Sequence, residues 1–135
     1  LRQYQPAIED YNKAILMNAD FAEAYNNRGR IYGQFGQYQQ AIDDFNKVID
    51  INPEHEKAYN NRGLAFNELR QYQNAVKDFN TAINLKPDYA NAYNSRAFSY
   101  LNLDDAKQGC SDAKRACELG NCTILDSAKN KGICR

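Results

Sequence analysis

A 34-residue rhythm makes this chain an all-α solenoid of antiparallel helix pairs, closed by a C-terminal capping helix. Three observations carry that reading. Tyr25, Tyr59 and Tyr93 recur at a constant interval of 34 residues inside nearly identical blocks, Ala24-Tyr-Asn-Asn-Arg-Gly29, Ala58-Tyr-Asn-Asn-Arg-Gly63 and Ala92-Tyr-Asn-Ser-Arg-Ala97. Gly29, Tyr32, Tyr38, Ala41, Phe45 and Pro53 are followed in register by Gly63, Phe66, Tyr72, Ala75, Phe79 and Pro87. All four cysteines fall where the rhythm degenerates, at Cys110, Cys117, Cys122 and Cys134.

The elements follow in order. Leu1-Arg-Gln-Tyr-Gln5 repeats Leu69-Arg-Gln-Tyr-Gln73, so residues 1–20 are expected to form the second helix of a truncated first unit. No Met opens the chain, which is therefore expected to be a fragment of a longer protein. The first full unit, 21–54, is predicted to hold one helix from about Ala22 to Phe35 and another from about Tyr38 to Ile51. Gly36 turns the chain between them, and Pro53 stops the second helix just after its last apolar position. Ala41, Phe45 and Val48 share one face at helical spacing, and Tyr25, Gly29 and Tyr32 share the facing one. Gly29 and Gly63 are expected to be packing positions, because Gly inside a helix costs about 1 kcal/mol relative to Ala.

Unit 55–88 repeats this pattern and unit 89–120 departs from it. Ala92 to Leu103 is a normal first helix, but after Asp104-Asp105 the expected Tyr, Ala and Phe become Ala106, Gly109 and Ala113. Smaller residues there let a closing helix approach. Residues 121–135 are expected to supply it, capped by Asn121 or Thr123, running to about Asn130 and ended by Gly132.

The period, with its aromatic, Gly, Tyr, Ala-x3-Phe and Pro positions, resembles the tetratricopeptide repeat family along the whole chain. Tyr stands here where that family has Trp, and the style of the repeats looks bacterial. The resemblance implies a right-handed superhelix that binds proteins. It also implies that first-helix residues line a concave groove, here Glu23, Asn26, Arg30 and Gln34, then Lys57, Asn60, Leu64, Asn67 and Glu68, then Asn91, Asn94, Phe98, Leu101 and Asn102. Such a groove is Asn-rich with an apolar end at Leu64, Phe98 and Leu101. Asn27, Asn61 and Ser95 resemble the asparagine ladder of the O-GlcNAc transferase repeat superhelix, which holds the backbone of an extended peptide. An amide suits that task because it both donates and accepts. The two-carboxylate clamp of chaperone-docking members is not expected, since Asn26, Asn60 and Asn94 stand where its Lys would be.

Arg28, Arg62 and Arg96 and the aspartates Asp10, Asp44, Asp78 and Asp112 recur with the same period, and are expected to form an alternating ladder of ion pairs along the solenoid, where the first and second helices of neighbouring units touch. The cysteines have three readings. A zinc site lacks a Cys-x2-Cys pair, with the single histidine, His55, distant; free thiols would suit a reducing cytoplasm; two disulfides are the expected arrangement and imply a periplasm or cell exterior. Cys110 and Cys117 on one helix lie about 10 Å apart at roughly 1.5 Å per residue, beyond the limit of about 7 Å for bridged Cα atoms. A closing helix folded back antiparallel pairs Cys117 with Cys122 and Cys110 with Cys134. The crossed alternative, Cys110 with Cys122 and Cys117 with Cys134, needs a different path.

Lys plus Arg equal Asp plus Glu at 17 each, so the chain lacks the basic footprint of a nucleic-acid binder. No run is apolar enough for membrane insertion. No cofactor motif, phosphate loop or nucleophile motif is present, and adjacent carboxylates such as Asp43-Asp44 point apart on a helix. The expected function is a non-enzymatic interaction module holding an extended peptide or partner helix. The alternatives are a structural spacer or self-associating segment, and a small redox or metal protein built on the cysteines.

Overall fold

The computed structural model describes residues 4–135, so the Leu1 to Gln3 part of the expected truncated unit lies outside the described residues. Eight helices follow one another: α1 (Gln5–Met17), α2 (Ala22–Gln34), α3 (Tyr38–Ile51), α4 (Glu56–Glu68), α5 (Tyr72–Leu85), α6 (Ala90–Asn102), α7 (Ala106–Glu118) and α8 (Thr123–Asn130). The pairs α2–α3, α4–α5 and α6–α7 are the repeating units, and each stacks on the next. First helices also touch across units, α2 against α4 and α4 against α6. That contact puts the first helices on the inner side of the curve.

The apolar spacing becomes a continuous core. In α3 it buries Ala41, Ile42, Phe45 and Val48, and in α5 Ala75, Phe79, Ala82 and Ile83. The Gly positions are where two helices meet most closely: a Cβ on Gly29 would lie 2.8 Å from Phe45 Cε1, and one on Gly63 2.7 Å from Phe79 Cε1. In the third unit both partners change together. Ala97 faces a helix whose Phe position is Ala113, and both are fully buried.

Each unit turns between its helices with the same backbone device, a residue at positive φ followed by an amide that bonds back five residues. Gly36 (φ 78°), Arg70 (φ 59°) and Asp104 (φ 60°) occupy it. The amides of Gln37, Gln71 and Asp105 donate to the carbonyls of Tyr32, Phe66 and Tyr100 at 2.8, 2.8 and 2.9 Å. These bonds satisfy orphan carbonyls at the helix ends. Sequence reading finds the glycine and misses the other two, since Arg rarely adopts the left-handed region and Asp signals it far more weakly than Gly.

Helix α7 of the third unit ends at Gly120 (φ 104°), and α8 folds back on α6 and α7. Leu125, Ala128 and Cys134 pack with Ala97 and Ala113, the space that a second-helix Phe would otherwise fill. The structure joins Cys110 to Cys134 with Cα atoms 5.6 Å apart and Cys117 to Cys122 at 4.0 Å, leaving no cysteine free among the described residues. This nested arrangement ties both ends of α8 to α7.

Candidate functional site

The Arg and Asp residues pair inside each unit, not between neighbouring units as expected, because the two helices of one unit bring Arg and Asp together across their shared face. Arg28 donates from Nε and Nη2 to Asp44 at 2.9 and 2.6 Å, Arg62 to Asp78 at 2.8 and 2.7 Å, and Arg96 to Asp112 at 2.7 Å for both bonds. The reach to the preceding unit is made by a neutral partner. Each Nη1 donates to an asparagine on the previous second helix, Asn12, Asn46 or Asn80, at 2.7, 2.8 and 2.7 Å. Those asparagines share the 34-residue period, so the signal was present in the sequence. Asp10 is exposed and belongs to no such pair among the described residues.

Tyr and Phe residues one turn away sandwich each guanidinium, with Arg62 over Tyr59 and Phe66 at 5.8 and 5.9 Å. The aspartate side chains are 6–7% exposed, so these rungs are bidentate, nearly buried pairs that set helix registry. The hydrogen bond to Asp78 holds Arg62 above the ordinary guanidinium range, while burial pushes the Asp78 carboxyl up against the pull of Arg62. With their charges satisfied, the rungs leave no unpaired cation for a ligand.

The opposite, inner side carries two adjoining hollows. The larger, of about 590 Å³, gathers Asn26, Asn27, Asn52, Asn60, Asn61 and Asn91, with Arg30, Lys57 and Leu64 at its sides. Asn61 Nδ2 approaches Asn26 Oδ1 at 3.4 Å, and both Asn27 and Asn61 are half-buried. Asn60 Oδ1 is buried with no hydrogen-bond partner, alone in this among the described residues. Glu23, Glu54, Glu56 and His55 complete the wall, His55 also capping α4 by accepting from the Ala58 amide at 3.1 Å. Burial, with the Glu56 charge, holds the Tyr89 hydroxyl above its ordinary value.

The second hollow, of about 410 Å³, shares Arg30, Asn61 and Leu64 with the first and adds Gln34, Tyr38 and Glu68. Its floor is Gly29, Gly33, Phe45 and Ala65, none of which sequence reading assigned to the groove. Tyr38 donates to Glu68 at 3.3 Å, and desolvation together with that carboxylate raises its hydroxyl pKa.

Four expected groove residues, Asn67, Asn94, Ser95 and Leu101, are engaged within the fold, while Phe98 and Asn102 remain exposed on α6. Asn67 is buried between units, accepting from the Ser99 hydroxyl at 2.7 Å and donating to the Ser95 carbonyl at 3.3 Å. Ser95 itself is half-buried beside that bond. Asn94 Oδ1 accepts from the Ile124 amide at 3.0 Å, so the closing helix takes it as a cap. Leu101 turns into the core beside Gly109 and packs with the capping cluster. Phe98 stays 40% exposed against Tyr72, and Asn102 donates to the Phe98 carbonyl at 2.8 Å. The apolar end at Leu64, Phe98 and Leu101 is therefore not one surface. Asn91, at the edge of the larger hollow, already accepts from Asn121 at 2.9 Å.

No group of three or more His, Cys, Asp or Glu stands ready to hold a metal among the described residues, and none of their helices is long and apolar enough to cross a membrane.

Comparisons with known proteins agree with this architecture. A search of curated proteins finds no match. Among solved structures, the first TPR of Spaghetti (RPAP3) bound to the HSP90 peptide SRMEEVD is 27% identical, with a TM-score of 0.77 over 81% of this chain and 88% of that one. The Arabidopsis OM64 TPR domain is 25% identical, with a TM-score of 0.78 over 81% and 92%. A crystal structure of MamA is 25% identical, with a TM-score of 0.79 over 93% of this chain and 66% of that one. The family model for the tetratricopeptide repeat matches residues 22–55 and 56–89, together half of the chain, and the stacked helix pairs extend that pattern on both sides. The chain belongs to the tetratricopeptide repeat family.

Proposed function

We propose that this array is a protein-interaction module whose inner face holds an extended stretch of a partner protein. The observation that carries this reading is the gathering of six asparagines around one hollow beside a second hollow with an apolar floor. Carboxamides pair with peptide N–H and C=O groups of any sequence, while an apolar recess supplies the anchor that amides cannot. Capture of the HSP90 peptide by the similar RPAP3 domain supports peptide binding on this fold, and the Asn residues here favour a segment held through its backbone over one held by a carboxylate clamp.

The two disulfides favour an oxidising compartment, a periplasm or the cell exterior, as the place of work.

The groove reading is tested by quantitative capture from the native host with wild type and the Asn27→Ala, Asn61→Ala variant, followed by titration of the recovered partner. Loss of two amide contacts should weaken that partner at least tenfold, or about 1.4 kcal/mol. The melting transition should move little, since among the described residues the one side-chain bond of the pair is the 3.4 Å approach to Asn26. Equal affinity for both proteins would remove the groove as the binding surface.

A further inference from the structure

One register position is solved three ways along the array, and the first solution leaves space. The 34-residue interval aligns Gly33, Asn67 and Leu101. Asn67 fills its place with a buried bond to the Ser99 hydroxyl at 2.7 Å. Leu101 fills its place by pressing against Gly109, where an added Cβ would fall 2.6 Å from Leu101 Cδ2. Gly33 fills nothing: a Cβ built on it would meet Ala41 Cβ alone, at 3.9 Å. The second hollow is the space so created, floored by Gly29, Gly33, Phe45 and Ala65 with Leu64 at its lip.

A glycine inside a helix costs about 1 kcal/mol of propensity, and neither turn geometry nor close packing requires one here. Gly29 is explained by the ring of Phe45, whereas Gly33 is explained by nothing inside the chain.

Resting on the groove reading above, we propose that this hollow is the specificity pocket of the groove and receives one uncharged, bulky apolar side chain, of leucine size, from the bound peptide. The mouth carries one charge of each sign, Arg30 on α2 and Glu68 on α4, and so favours neither a cation nor an anion. The apolar floor rewards a neutral side chain, and at about 410 Å³ the space has room for one with its flanking backbone. Asn61 lines both hollows, which places an amide where the peptide unit next to the anchor would lie.

The test uses the full chain and two probes, N-acetyl-L-leucinamide and N-acetylglycinamide, followed through backbone amide resonances. The leucine probe is expected to give saturable shifts at Gly29, Gly33 and Ala65, with an affinity about tenfold or more above that of the glycine probe. Gly33→Asn, which installs the residue of the next unit, should abolish those shifts; Gly33→Ala, which adds one methyl in open space, should reduce them severalfold and provides the reading if the Asn variant does not fold. Equal response to both probes, or shifts unchanged in the folded glycine variants, would overturn the pocket. Capture of the native partner at full affinity by Gly33→Asn would overturn it too while leaving the amide-lined groove standing, because that reading fails separately in the Asn27, Asn61 variant.

Discussion

Gly63→Ala should destabilise the wild-type array and stabilise it once Phe79 is gone. Two effects oppose each other. Replacing a helix-interior Gly with Ala gains about 1 kcal/mol from backbone propensity. The new Cβ, however, would lie 2.7, 2.8 and 3.1 Å from Phe79 Cε1, Cζ and Cδ1. Phe79 is fully buried among Ala75, Ala82, Ile83 and Ala92, so its ring has nowhere to withdraw. Overpacking of this kind costs about 1–3 kcal/mol, and with three ring atoms too close the upper part of that range applies. The net loss is then about 1–2 kcal/mol.

Phe79→Ala alone should cost roughly 3–5 kcal/mol through the cavity it opens. On that background the clash disappears, and Gly63→Ala should return about 1 kcal/mol. The third unit is the natural precedent, with Ala97 opposite Ala113. Urea titrations of the four proteins, with slopes compared, read the coupling directly. A Gly63→Ala substitution that stabilises both backgrounds equally would show that close approach of Gly to Phe does not hold the helix pair, and a Phe79→Ala loss under about 1 kcal/mol would show that the repeat register is wrong.

Other perturbations probe the turns, the ladder and the cap. Arg70→Gly should raise stability by about 1 kcal/mol in the same titration, because Arg70 sits at φ 59° where Gly carries no steric penalty; a loss would mean that the Arg70 side chain makes a contact worth more than that penalty. Asp78→Asn should cost about 2–3 kcal/mol, somewhat less than removal of one member of a fully buried pair, since the Arg62 side chain remains 21% exposed and keeps Asn46; a melting temperature unchanged within error would show that the rungs contribute nothing to registry. Reduction by a dithiol should release α8 first, because eight residues do not hold a helix alone and the Cys110–Cys134 loop contributes on the order of 3 kcal/mol. Hydrogen exchange would then rise at Leu125 and Ala128 while Phe45 and Phe79 stay protected, and simultaneous loss of protection throughout would contradict a terminal cap.

The helix pairs were legible because period, apolar spacing and stop signals all fall on the same residues. Pro53 and Pro87 follow the ends of α3 and α5 as the pattern requires. The closing helix was legible too, through the shrinkage of Phe45 and Phe79 to Ala113. The groove was less so, because a residue's place on the first helix does not say which neighbour claims it. Asn67 and Asn94 read like Asn60, yet a hydroxyl on α6 takes one and the first turn of α8 takes the other. Leu101 read as an anchor because its partner is an absence, the missing Cβ of Gly109. Gly33 was overlooked for the same reason, since a hollow is made by what a side chain omits.

The most direct test of the binding face places a photo-activatable aromatic residue at Leu64, on the lip of the hollows, or at Lys77, on the surface beside the Arg62–Asp78 rung, which shares no lining residue with them. Both side chains are exposed, so either position accepts the probe without disturbing the core. With the captured native partner bound, cross-linking from position 64 and none from position 77 is expected; cross-linking from position 77 alone would contradict the inner groove as the site of interaction.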